Sequence, residues 1–112
     1  QLTKGSLAAA VTDFDRAINL NPNFPEAYLN RGTVQFALNR FEEALTNYQK
    51  VILLDPNRPD VYMNRGIAYL VLGRESEAAN DFAKCLELDP SLKPTLDQRV
   101  KIAKKRLLGE MH

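Results

Sequence analysis

Few side chains in this sequence are suited to catalysis. The single histidine, His112, is the last residue, and the single cysteine, Cys85, lies in an apolar pattern of helical spacing. A reactive thiol needs a base or positive charge beside it, so Cys85 is read as an inert core thiol. The paired acids Glu42 and Glu43 are typical of a solvated helix surface. No phosphate-binding glycine loop, zinc spacing or calcium loop is present, so we expect no enzyme activity, metal or cofactor.

Charge is distributed unevenly along the chain. Residues 1–92 carry 9 basic and 12 acidic side chains, a balance of −3, whereas residues 93–112 carry 6 basic and 2 acidic, a balance of +4. No apolar run is long enough to span a bilayer, so we expect no membrane span. One cysteine cannot form an internal disulfide, and nothing specifies a compartment, with the cytoplasm as the default expectation.

The sequence repeats itself at a constant interval. Residues 25–58 and 59–92 align without a gap and share 13 identities in 34, where average composition would give roughly two. The matches include the run Asn30 to Gly32 with its copy at 64–66, and the prolines Pro56 and Pro90. An internal period of this length indicates a helical repeat array.

Each repeat is predicted to contain two helices. The first begins at a capping asparagine, Asn23 or Asn57, followed three residues later by an acid. It ends at Asn39 or Gly73, the residue types that best tolerate the left-handed conformation of a helix C-terminus. Apolar residues three and four apart then predict second helices over residues 41–54 and 75–88.

This unit resembles the tetratricopeptide repeat family, with Gly in the first helix, Ala after the turn, an aromatic four residues later and Pro near the end. The resemblance covers residues 1–92 and implies an all-α fold, an α-solenoid of antiparallel helix pairs closed by a C-terminal capping helix. Residues 1–24 would then be a partial first repeat (mainly its second helix), 25–58 and 59–92 repeats, and 93–112 the capping helix and tail. The residues that carry the resemblance are Gly5, Ala10, Phe14, Ala17, Pro22, Tyr28, Gly32, Ala44, Tyr48, Pro56, Tyr62, Gly66, Tyr69, Gly73, Ala78, Phe82 and Pro90.

Members of this family are scaffolds that bind partner proteins, and the outer face of each first helix lines a concave groove. The asparagines of that face can hold an extended peptide by its backbone, because a side-chain amide both donates and accepts. The apolar residues would take side chains of the partner, or alternatively only pack against neighbouring helices. The groove residues implied here are Glu26, Leu29, Asn30, Thr33, Phe36, Asp60, Met63, Asn64, Ile67 and Leu70.

One subfamily grips a C-terminal carboxylate with Lys, Asn, Asn, Lys and Arg at set groove positions. Asn30 could serve as the middle asparagine, but the next repeat then offers Asp60 and Asn64 where Lys and Arg are needed. The shifted alignment places Leu29 and Thr33 at the first two positions. We therefore do not expect this clamp.

Two arginines and one glutamine depart from the family pattern. Arg31 and Arg65 occupy a position that is more often apolar, so each needs a partner if it is buried. We predict that Asp81 pairs with Arg65 and that Asp13 pairs with Arg31. Gln35 stands where the family usually has an aromatic residue.

The two ends of the chain carry further expectations. Residues 93–108 are predicted to form a helix whose apolar stripe caps the array, or whose basic face docks on an anionic surface. The helix from about residue 6 to 20 lacks its partner helix, which predicts partial exposure of its apolar side and possible self-association through that edge. The leading function is a scaffold that binds a peptide or helix of a partner protein, and no nucleic-acid partner is expected. The alternatives are a structural or oligomerising segment of a longer repeat protein and, less favoured, the basic-tail docking.

Overall fold

The computed structural model describes residues 4–110 as six α-helices and one 3-10 turn, with no β-strand in that range. His112 lies outside the described residues. The helical fold is thus as the repeat pattern predicts. The helices are α1 (Lys4–Leu20), α2 (Pro25–Ala37), α3 (Phe41–Leu54), α4 (Pro59–Val71), α5 (Glu75–Leu88) and α6 (Lys93–Glu110), with the 3-10 turn at Pro90–Leu92.

The chain forms two compact units, unit 1 (Gln1–Pro56) and unit 2 (Asn57–His112). In unit 1, α2 packs against both α1 and α3. In unit 2, α4 packs against α5 and α6, and the 3-10 turn joins α5 to α6. No helix within residues 4–110 has the length and apolar character needed to cross a membrane.

The first helices begin one residue later than the capping asparagines predict. Pro25 and Pro59 occupy the first turn of α2 and α4, and the N-cap residues are Phe24 and Arg58, neither of which forms a side-chain capping bond. The capping prediction was wrong because a proline, which has no N–H to satisfy, fits the first helical position and places the cap directly before itself. In α4, the Asp60 carboxylate instead accepts a bond from the backbone N–H of Val61 (3.0 Å).

The predicted left-handed residues at the ends of the first helices are confirmed. Asn39 has φ 63° and Gly73 has φ 80°. The following residues, Arg40 and Arg74, donate their backbone N–H groups to Gln35 and Tyr69 (2.8 Å each), which satisfies carbonyls in the last turn of each helix.

Glycine sets the closeness of the two helices within each pair. A Cβ added at Gly32 would lie 2.9 Å from Tyr48 Cε1, and one added at Gly66 would lie 2.5 Å from Phe82 Cε1. Both distances are shorter than van der Waals contact, so only glycine allows the aromatic ring of the second helix to pack against the first. The Tyr48 side chain is consequently almost completely buried.

The helix α1 is less buried than α3 at equivalent positions of the repeat. Ala10, Phe14 and Ala17 stand one repeat before Ala44, Tyr48 and Val51. The three residues of α3 are buried against α2, whereas their α1 counterparts are only half-buried. The apolar face of α1 is likewise half-exposed, which confirms the predicted partial exposure. That face consists of Leu7, Val11, Phe14 and Ile18.

Candidate partner-binding surfaces

The outer face of α2 in unit 1 is mostly accessible. Asn30 and Thr33 are exposed and Glu26 is half-buried, whereas Leu29 is buried in the core. The half-buried Phe36 ring packs edge-on against Phe41, with ring centroids 5.0 Å apart. This face therefore offers an amide, a hydroxyl and a partly covered aromatic ring.

The corresponding face of α4 in unit 2 is much less accessible. Met63, Ile67 and Leu70 have relative exposures of only 3%, 4% and 5%, so they serve as core residues of this chain. Asp60 is exposed, but its carboxylate pairs with the Arg58 guanidinium (3.0 Å). Contact of these four residues with a partner stays a prediction, and the site proposed for this chain does not include them.

An arginine from the last helix lies against the outer face of α4. Arg99 Nη1 of α6 donates a hydrogen bond to Asn64 Oδ1 of α4 (2.6 Å). Because a guanidinium only donates, the bond determines which way the amide points. The Asn64 oxygen is occupied, and its NH₂ group remains the part of the amide that can bind another acceptor.

Apolar packing of α6 positions Arg99. Leu96 and Ala103, on the predicted apolar stripe, are buried, and Val100 of the same stripe lines a small cleft together with Leu70 of α4. Sequence reasoning missed Arg99 because it looked for basic groove residues within the repeats, and Arg99 lies 35 positions after Asn64. The available signal was the position of Arg99 beside the stripe, three residues after Leu96.

The inner sides of α2 and α4 carry the two arginines. In unit 2, Arg65 Nε and Nη2 donate to both carboxylate oxygens of Asp81 (2.9 and 2.8 Å), so the predicted pair is confirmed. The hydrogen bond that Arg65 donates to Asp81 raises the pKa of the Arg65 guanidinium, against the opposing effect of burial. Both partners of this ion pair are satisfied, which points to a structural role.

The prediction that Asp13 pairs with Arg31 was wrong. Arg31 Nη1 pairs with Asp15 (2.7 Å) and its Nε donates to Asn47 Oδ1 (2.9 Å), while Asp13 is exposed. Asn47 stands one repeat before Asp81, so unit 1 has an amide where unit 2 has a carboxylate. The negative charge comes instead from Asp15, which lies one helical turn further along α1 than Val11.

Gln35 belongs to the same polar cluster in unit 1. It is buried, accepts from Asn47 Nδ2 and donates to Glu43 Oε2 (3.4 Å). The buried amides of Gln35 and Asn47 thus satisfy each other, as buried polar groups must. In unit 2 the position of Gln35 is taken by Tyr69.

The surroundings of Cys85, which was considered for catalysis, are those of a core residue. Cys85 is a free thiol with no solvent exposure, and burial raises its pKa, an effect strengthened by Asp89 and Asp60 and opposed by Arg99. Within residues 4–110, no group of three or more acidic, histidine or cysteine side chains is placed to hold a metal ion.

Comparison with known protein families agrees with this geometry. A model described as TPR repeat matches residues 2–39 and 32–73, and one described as Tetratricopeptide repeat matches residues 59–92. The chain belongs to the tetratricopeptide repeat family. Comparison with curated proteins gives no match.

Solved structures of tetratricopeptide repeat proteins share the fold. The Arabidopsis OM64 TPR domain is 33% identical, covers 95% of this chain and 84% of its own, and has a TM-score of 0.77. A crystal structure of MamA is 32% identical over 76% of this chain and 50% of its own (TM-score 0.73), so this chain matches about half of MamA. The first TPR of Spaghetti (RPAP3), bound to an HSP90 peptide, is 23% identical over 93% of this chain and 82% of its own (TM-score 0.80), which shows the shared fold. The predicted fold class, an α-solenoid of tetratricopeptide helix pairs, is confirmed.

Proposed function

We propose that this chain is a protein-interaction module that binds a carboxylate-bearing segment of a partner protein. The observation that carries the proposal is the hydrogen bond from Arg99 to Asn64. It brings a guanidinium and an amide NH₂ together on the outer face of α4, and both groups donate hydrogen bonds. A site made of donors, one of them charged, fits a carboxylate better than it fits a neutral or basic group.

Unit 1 supplies an independent contact point of a different kind. The Asn30 amide on α2 is exposed and can both donate to and accept from a peptide backbone. Asn30 and Asn64 are equivalent positions of the repeat, but only Asn64 is held by an arginine. We therefore expect loss of Asn64 or Arg99 to weaken carboxylate binding, and loss of Asn30 to weaken backbone binding.

The five-residue carboxylate clamp is not part of this proposal. Glu26 and Asp60 stand on the outer faces of α2 and α4 and add negative charge rather than the lysines that the clamp requires. The carboxylate can belong to an acidic side chain or to a chain terminus, since both present the same two oxygens. The experiment separates the two.

A display library of 12-residue peptides, prepared with free and with amidated C-termini, is selected against the purified chain. We expect enrichment of peptides with acidic side chains in both libraries if side chains are bound, and enrichment only in the free library if termini are bound. Affinities of selected peptides are then measured by fluorescence anisotropy for the wild type, Arg99→Gln and Asn30→Ala. A charge-assisted hydrogen bond contributes about 1.5–3 kcal/mol, so Arg99→Gln should weaken binding by about 10- to 150-fold.

Lys105→Gln is the matched control, because it removes one positive charge from an exposed position of the same helix. Equal loss of affinity in Lys105→Gln and Arg99→Gln would mean that only general charge matters, and would contradict the proposed site. Selection of neutral peptides that bind both variants as well as the wild type would contradict it too.

A second candidate function is a structural or oligomerising segment of a longer repeat protein. The half-exposed apolar face of α1 favours it, because Val11 and Phe14 are only half-buried whereas their repeat counterparts Leu45 and Tyr48 are buried in α3. Concentration-dependent self-association, measured on the wild type and on a variant of that face, tests this alternative.

A further inference from the structure

The two units carry different residues at the repeat position of Gln35, which is Tyr69 in unit 2. In unit 2, two guanidinium groups lie near the Tyr69 ring, with the Arg65 Cζ atom 5.7 Å and the Arg74 Cζ atom 5.3 Å from the ring centroid. Both distances are within the range of cation–π attraction. Arg74 also pairs with Glu77 (3.1 Å), which holds the second guanidinium near the ring.

Unit 1 has the same two arginines but no aromatic residue at the position of Tyr69. Arg31 and Arg40 stand one repeat before Arg65 and Arg74, and Gln35 stands in place of Tyr69. Glu43, the counterpart of Glu77, accepts a bond from Gln35 (3.4 Å). Among residues 4–110, the exposed Arg40 side chain has no ion-pair partner.

A cavity of about 490 Å³ lies at this place in unit 1. Its walls include Arg31, Gln35, Arg40, Glu43 and Asn47. In unit 2, Tyr69 stands at the position of Gln35, and the other four positions hold the ion pairs Arg65–Asp81 and Arg74–Glu77. The Gln35 side chain has no ring, so this wall of the cavity lacks the group that Tyr69 supplies in unit 2. The rest of the wall consists of Thr46 of α3 and of Val11 and Asp15 of α1.

We propose that this cavity receives an aromatic side chain of a partner protein, whose ring lies close to both Arg31 and Arg40, as the Tyr69 ring lies close to both Arg65 and Arg74. The internal copy in unit 2 shows that two arginines at these positions accommodate a phenol ring. The cavity contains two acidic residues, Asp15 and Glu43, beside the two arginines, so its charges balance. A neutral ring therefore suits it better than a phosphate or another anion.

This site is separate from the carboxylate site proposed above. The cavity is lined by residues of α1, α2 and α3 in unit 1, whereas Asn64 and Arg99 belong to α4 and α6 in unit 2. Loss of one site therefore leaves the other in place, and the two proposals can fail independently.

The test uses a seven-residue peptide with a central tyrosine flanked by glycine and serine, and a matched peptide with a central leucine. ¹H–¹⁵N NMR titration of the wild-type chain should show shifts at Gln35, Arg40 and Asn47 with the tyrosine peptide and weaker ones with the leucine peptide. Arg40→Gln removes an exposed cation and should weaken binding about two- to fivefold, as expected for loss of one cation–π contact. Arg74→Gln in unit 2 is the control and should leave the affinity unchanged.

Gln35→Tyr provides the sharper variant, because a ring supplied by the chain itself should fill the cavity and abolish binding of the tyrosine peptide. If that variant does not fold, Arg40→Gln against Arg74→Gln still decides the question. Equal binding of the leucine peptide, no shifts in unit 1, or full binding to Gln35→Tyr would overturn the proposal. Tighter binding of a phosphotyrosine version would overturn the assignment of a neutral ring.

Discussion

Arg65 and Asp81 form a two-point ion pair that joins α4 to α5, with side-chain exposures of only 16% and 6%. Asp81→Ala would leave the guanidinium without its acceptor in a mostly desolvated position. Loss of one partner of a buried ion pair costs about 3–5 kcal/mol, and we expect the lower part of that range because Arg65 keeps some contact with solvent. Urea unfolding followed by circular dichroism measures the change.

Two further variants test how much of the effect comes from the buried charge of Asp81. Asp81→Asn should cost less than Asp81→Ala, because Asn47 accepts a bond from Arg31 in unit 1. Asp97→Ala, which breaks an exposed pair with Lys93, should change the free energy of unfolding by less than about 1 kcal/mol. If Asp81→Ala is as mild as Asp97→Ala, the pair does not stabilise the fold.

Gly66→Ala should destabilise unit 2 by overpacking. The added Cβ would lie 2.5 Å from Phe82 Cε1 and 3.2 Å from Asp81 Cβ, and both belong to the facing helix. Extra methyl groups in packed cores cost about 1–3 kcal/mol. Thermal unfolding of Gly66→Ala beside Gly109→Ala, where an added Cβ meets nothing within 4 Å, checks this, and equal melting temperatures would contradict it.

Gly73→Ala should lower the stability of the chain, whereas Asn39→Gly should leave it unchanged or raise it slightly. Gly73 has φ 80°, where a Cβ is disfavoured by about 1–2 kcal/mol, so alanine should lower the free energy of unfolding. Asn39 has φ 63°, and glycine there should be neutral or mildly stabilising because it removes the same strain. Denaturant midpoints measure both, and a stable Gly73→Ala would argue against the left-handed turn.

Cys85 should react slowly with alkylating reagents in the folded chain. Its thiol is buried, and burial raises its pKa, so little thiolate is accessible. Iodoacetamide modification at pH 8, followed by mass spectrometry, should be much faster in urea than in buffer. Rapid modification of the folded chain would show that α5 opens readily or that the thiol is accessible.

The same raised pKa has a consequence for stability at alkaline pH. A folded-state pKa above the unfolded value of about 8.5 means that this stabilising contribution is complete below about pH 8.5 and is lost as the pH rises through the folded pKa. The free energy of unfolding of the wild type should therefore fall more steeply between pH 8 and 10 than that of Cys85→Ala. Parallel curves would assign the alkaline loss to other groups.

The half-exposed face of α1 should support self-association at high concentration. Phe14 stands at the repeat position of the buried Tyr48 but is only half-buried. Light scattering from about 0.05 to 1 mM should show a rising average mass for the wild type, and Phe14→Glu should abolish the rise. Asp13→Lys, on the exposed side of α1, is the control. A wild type that stays monomeric over the whole concentration range would contradict the prediction.

Much of the fold was predictable because it depends on short-range features of the chain. Residue types at known positions of the repeat predict the internal period, the left-handed residues Asn39 and Gly73 and the close approach of the helices at Gly66. The Arg65–Asp81 pair was also predictable, because a helix pair of known spacing brings those two positions to the same level. These features require only the geometry of one hairpin.

The tertiary structure alone decided the contacts that reach beyond one helical hairpin. Asp15 rather than Asp13 meets Arg31, because the rotation of α1 against α2 determines which of two neighbouring carboxylates comes within reach. Arg99 meets Asn64 because α6 packs on α4, which no local pattern specifies. Tertiary packing also buries Met63 and leaves a cavity beside Gln35. Burial and empty volume both depend on which side chains the neighbouring helices place there.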